Sequence, residues 1–167
     1  GGDGGPRNPN ADLDGGALPM TQAVTIQVLP SSAEYASLLA AVKAAKKSVH
    51  MTMYLLTDTA MIKALGDLKA VNKLDVKVVL NQTFPQNEGS NQTTFNTLKA
   101  RGVDVVWAPN GYAYTHAKAI SIDGEKLVVM TMNVTDSSPT TNREFIATDT
   151  DPQDIAEKMN ISVKTVY

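Results

Sequence analysis

Residues Ala23–Leu55, AVTIQVLPSSAEYASLLAAVKAAKKSVHMTMYL, change periodicity twice. The first seven, AVTIQVL, are apolar and rich in β-branched side chains, which predicts a strand over Ala23–Leu29. The next stretch has helical spacing. Ser31 and Glu34 form a capping box, and Leu38, Leu39, Val42 and Ala45 fall on one stripe. SVHMTMYL then returns to a short apolar run, a second strand over Ser48–Leu55. A strand, an amphipathic helix and a strand in succession form a βαβ pattern.

The pattern continues outward. Thr57 or Asp58 caps a helix reaching about Val71, and DVKVVL predicts a third strand at Asp75–Leu80. QNEGSNQT reads as a loop, followed by a helix to Arg101, with Gly102 where a left-handed C-cap belongs. VDVVWA (Val103–Ala108) is a fourth strand. This alternation predicts an α/β sandwich with a mixed, largely parallel sheet flanked by helices. The character then changes. AKAISI, the turn DGE and KLVVMTMN make a β-hairpin, and EFIAT is one more strand. Asp151 and Pro152 supply the cap and first position of a last helix. No internal repeat is visible.

Bulk composition narrows the function. The 167 residues are 43% hydrophobic, enough for one domain with a sizeable core. Fifteen basic against seventeen acidic residues give a net charge of −2, so no strong positive field is available to hold nucleic acid non-specifically. There is no apolar run of membrane-spanning length. Cysteine is absent, which excludes disulfides, thiolate metal sites and a cysteine nucleophile.

Residues 1–20, rich in Gly, Pro, Asn and Asp, read as a flexible linker, and 21–167 as the folded domain. Asn10, Asp12, Asp14 and Gly15 match the first half of a calcium loop, but Thr21 stands where a bidentate Glu is required. A solvated linker is the better reading. A start without Met reads as processed or trimmed, and such a linker suits a secreted or envelope-tethered domain; the compartment itself is open.

The polar punctuation of the second half carries the chemistry. In YTHAKAISIDGE (Tyr114–Glu125), His116 and Lys118 sit two apart in a strand and share a face, and Asp123 follows. An apolar strand rejects Lys and His unless they have a task. Asn133 follows in MTMN, across the hairpin and near the same sheet end, and Asn142 and Glu144 in NRE. These residues resemble the phospholipase D superfamily, whose signature is His-x-Lys-x4-Asp, then after six residues Gly-Ser/Gly-x-Asn, and later Asn-x-Glu. AVKAAKKSVHMTMYLLTD and LKARGVDVVWAP resemble its flanking segments, so the likeness runs from about Ala23 to Asp154. One position departs: the family's small Gly is Met130 here, a bulky side chain expected at the site wall.

The resemblance implies phosphodiester hydrolysis or transfer through a covalent phosphohistidine. His116 would be the nucleophile, and Lys118 and Asn133 would donate to the phosphoryl oxygens. Glu144 would fix the tautomer of His116, and Thr131 and Asn142 would line the phosphate pocket. Asp123 belongs to the catalytic signature, although its counterpart in the family looks structural. No metal or other cofactor is implied. The reaction also needs a second acid–base group. His50, the other histidine, has no Lys two residues on and reads as a structural strand residue. The expected partner is therefore a second copy of the chain in a homodimer, or a second motif-bearing domain. Phospholipid suits the near-neutral charge and the linker. The alternatives are a single-motif endonuclease on DNA or RNA, and a non-catalytic binding or assembly domain. Lys46 and Lys47 read as a solvated helix end, the scattered Met residues as core filler. The tail DIAEKMNISVKTVY reads as a terminal packing helix.

Overall fold

The computed structural model describes residues 25–29, 32–85, 89–109, 118–131, 133–135 and 144–156. Seven strands form one mixed sheet. They are β1 (Thr25–Leu29), β2 (Ser48–Met53), β3 (Asp75–Leu80), β4 (Asp104–Trp107), β5 (Ala119–Ile122), β6 (Lys126–Met130) and β7 (Glu144–Asp149). Three helices accompany them: α1 (Ser32–Lys43), α2 (Thr59–Ala70) and α3 (Gln92–Ala100).

The strand order is β1-β7-β6-β5-β2-β3-β4. Pairing is parallel only for β2–β3 and β3–β4, and antiparallel for β2–β5, β5–β6, β6–β7 and β7–β1. The expected mixed α/β sheet is present, but its parallel part is confined to one side. The difference comes from β1. The opening βαβ reading implies β1 beside β2, whereas β1 pairs with β7 at the far edge, four strand positions away. Helix α1 packs over the intervening strands: Leu38 and Ala41 line a small cavity with Val128 of β6 and Ile146 of β7.

Alternation along each strand separates two faces. On one, Val49, Met51 and Met53, Val76, Val78 and Leu80, and Ile120 and Ile122 pack with Leu38, Val42, Met61, Leu65 and Leu98 of the three helices. The other face is more polar at its centre, with buried Ser48, His50 and Ser121. Ala119 and Leu127 on that face meet Ile155, from a terminal helical turn at 152–156.

Local signals explain the boundaries. Asp58, not Thr57, caps α2, its carboxylate accepting the Met61 N–H at 2.8 Å. Gly102, at φ 81°, ends α3 in the left-handed conformation. Asp151 caps the terminal turn by accepting the Gln153 N–H at 2.8 Å. The capping box at Ser31, the linker and its calcium-like stretch, and the end of the tail lie outside the described residues.

Candidate active site

Four strand ends meet at one edge of the sheet. They are the end of β2, the residue preceding β5, the end of β6 and the start of β7. Lys118, Thr131, Asn133 and the backbone of Glu144 are placed there, drawn from three separate chain segments. His116 and Asn142 lie outside the described residues, as does the Glu144 side chain. Thr131 is exposed and Asn133 half-buried. The Oδ1 of Asn133 is buried and has no hydrogen-bond partner among the described residues.

Lys118 is 8% exposed, unusual for a lysine. Continuing the β2–β5 and β5–β6 register by one residue places it between Met53 of β2 and Met130 of β6, and the Met130 N–H donates to the Lys118 carbonyl at 2.9 Å. Met130 is therefore both a neighbour of Lys118 and part of the main core. Its bulk goes into packing beneath the helices, where a glycine would leave a void.

The Asn133 segment is clamped by the chain leaving β2. Val134 N–H donates to the Leu55 carbonyl at 3.0 Å, and the Val134 carbonyl accepts from Thr57 and Asp58 N–H at 2.8 and 3.0 Å. That chain is held in turn by Asn91, which is 1% exposed. Its Nδ2 donates to the carbonyls of Tyr54 and Asn81, both at 2.8 Å, and its Oδ1 accepts the Leu56 N–H at 3.0 Å. Thr94 adds a donation to the Leu56 carbonyl at 2.5 Å. Sequence reading missed Asn91 because QNEGSNQT looks like an ordinary polar loop. The available signal was an Asn directly before a helix; here its side chain leaves the helix uncapped and bonds three backbone groups on two other segments instead.

Asp123 sits at the opposite end of β5. Its carboxylate accepts the backbone N–H groups of Lys46, Lys47 and Ser48 at 2.7–3.1 Å. Partial burial pushes its carboxyl up, but the donations from Lys47, Ser48 and Lys46 outweigh it and hold the pKa below the ordinary value. Asp123 and Gly124 have φ of 57° and 65°, the paired left-handed residues of a primed hairpin turn. His50 lies on the other sheet face from the residues that flank Lys118. It is buried, with Nε2 2.8 Å from Asp75 Oδ2. Its Nδ1 and the Oγ of Ser121, its cross-strand neighbour, are buried without partners. Among the described residues no three His, Asp or Glu side chains cluster as a metal site requires. A groove of about 500 Å³ runs between α2 and α3, lined by residues such as Thr57, Ile62, Thr93 and Arg101, and does not include Lys118 or Asn133.

Comparison with known proteins places this geometry. The family model described as "Cardiolipin synthase, PLD-like domain" matches residues 38–165, most of the chain. The chain belongs to the phospholipase D-like family. Solved structures agree on the fold. Nuc from Salmonella typhimurium, a phospholipase D family member, superposes with a TM-score of 0.73 at 21% identity, covering 87% of this chain and 97% of that one. NucT from Helicobacter pylori gives 0.68 at 16% identity, covering 86% and 95%. A phosphatidylserine synthase from Haemophilus influenzae gives 0.65 at 12%, covering 90% of this chain but 40% of that one. No curated protein sequence matches. Among the described residues of this phospholipase D-like domain, no helix is long and apolar enough to cross a membrane.

Proposed function

We propose that this phospholipase D-like domain is a phosphodiesterase half-site that acts on phospholipid. The observation that carries the reading is the buried Lys118 at a sheet edge shared with Asn133 and the start of β7 at Glu144. In this reading His116 attacks phosphorus. Its Nε2 or Nδ1 forms a bond to phosphorus while the bond to the leaving oxygen breaks. Lys118 and Asn133 Nδ2 donate to the phosphoryl oxygens, where negative charge grows in the transition state. Glu144 accepts from the other ring nitrogen and fixes the tautomer. Thr131 and Asn142 border the phosphate. A water then cleaves the phosphohistidine, or an alcohol does so in transfer. Asp123, at the opposite end of β5 and bonded to three N–H groups, acts in this reading through the fold rather than at phosphorus.

The leaving oxygen needs a proton from a second acid. His50 is on the wrong face and engaged with Asp75, so the acid comes from a second copy of the chain or a second motif-bearing domain. The near-complete coverage of Nuc and NucT supports the single-unit arrangement with a second copy. The lipid substrate is supported by the cardiolipin synthase description of the family. The single-unit format also favours a second reading, an endonuclease.

The test is turnover on phosphatidylcholine vesicles beside single-stranded DNA. His116→Ala should abolish both turnover and an acid-labile phosphoenzyme while the unfolding midpoint stays in place. Unchanged turnover in that variant sinks the proposal, and hydrolysis of DNA alone selects the endonuclease. Sedimentation should show a dimer; an active monomer would contradict the half-site.

A further inference from the structure

Lys118 is buried between two methionines, yet the proposed chemistry needs its ammonium fixed in place and still attractive to phosphate. We infer that Tyr54 is a positioning residue whose aromatic ring holds the Lys118 ammonium at the sheet edge. The inference rests on the phosphate-binding role given to Lys118 above. Three observations carry it. Lys118 Nζ lies 5.6 Å from the Tyr54 ring centroid, within cation–π range. The ring is itself 5% exposed, so water screens the attraction little. And the residue is held at both backbone and ring. The Tyr54 backbone carbonyl accepts from buried Asn91 at 2.8 Å, and Phe84 stands edge-to-face against the ring at 5.0 Å and 64°.

The ring contact has a physical consequence. A ring face attracts the ammonium through its quadrupole and adds no net negative charge. Tyr54 thus acts through Lys118 and does not itself touch the reacting atoms.

Fluorination isolates this effect, because fluorine drains the ring quadrupole with little change of shape. Phe at position 54 (Tyr54→Phe) is the parent, followed by its mono-, di- and trifluoro analogues, assayed on bis(p-nitrophenyl) phosphate. The expected result is a graded fall in log kcat/KM, summing to roughly tenfold over the series. A flat series overturns the inference. A second measurement does not depend on turnover. In urea unfolding, Tyr54→Leu and Lys118→Met should be non-additive when combined; additivity overturns the inference. The two readings fail separately. Full turnover in Lys118→Met rejects the phosphate-binding role of Lys118, whereas an inactive Lys118→Met with a flat fluorine series rejects only the role of Tyr54.

Discussion

At one end of β5 the Asp123 carboxylate accepts three consecutive backbone N–H groups. At the other, the Lys118 ammonium lies over an aromatic ring, and the chain leaving β2, which clamps the neighbouring Asn133 segment, is tied down by a buried neutral amide, Asn91. Both residues belong to one short signature, yet they work at different tasks. The Asp123 end uses its charge to stitch the hairpin to the start of β2, and the charge is consumed there. At the Lys118 end the contacts are an aromatic ring under the ammonium and a neutral amide behind the ring's backbone. A signature contiguous in sequence therefore marks two structural jobs a strand apart.

The largest expected effect breaks the Lys118 end chemically while sparing its packing. Lys118→Met should cost about 10²–10³ in turnover. The unfolding midpoint should hold or rise, since a buried charge gives way to an apolar chain of similar length. A midpoint that falls with activity would mean that Lys118 is mainly structural.

Breaking the support beneath that end comes next. Asn91→Ala leaves the Tyr54 and Asn81 carbonyls and the Leu56 N–H without their partner. A loss of about 2–4 kcal/mol is expected in urea unfolding, with turnover falling as well. Loss of stability alone would separate the clamp from the site.

The Asp123 end should respond in stability only. Asp123→Asn keeps the left-handed turn tolerable and removes the charge. At neutral pH it should cost about 1 kcal/mol with turnover per folded molecule unchanged. Because the folded pKa of Asp123 lies below its unfolded value, its contribution is present above the unfolded pKa and lost as pH falls through the folded one. The gap between wild type and Asp123→Asn should therefore close below about pH 4 in unfolding curves. A gap that persists in acid would assign the effect to geometry rather than charge.

The smallest change is expected on the other sheet face. His50→Leu removes an orphaned buried nitrogen and leaves the half-exposed Asp75 to water. Stability should shift by no more than about 0.5–1 kcal/mol, with turnover intact. Loss of turnover would reopen His50 as the missing acid.

Much of the fold was legible in sequence. β3 was expected at Asp75–Leu80 and found there, and Gly102 and Asp151 act as the caps they resemble. These are local features, set by periodicity and by single-residue backbone preferences. The placement of β1 was not legible, because a βαβ pattern does not say how many strands its helix will cross. Asn91 and Tyr54 were passed over for a similar reason. Nothing in their neighbourhood distinguishes an Asn before a helix, or a Tyr after a strand, from ordinary ones.

By itself the sequence determined the family and the alternation of elements, since these follow from residue types and spacing along one chain. Only the tertiary structure decided that β1 closes the far edge, that Met130 fills the core beside Lys118, and that His50 and Lys118 belong to opposite faces. It also decided that Asn91 and Tyr54 meet beneath the site edge. Such relations join residues remote in the chain, and sheet register and packing bring them together without leaving a trace in local pattern.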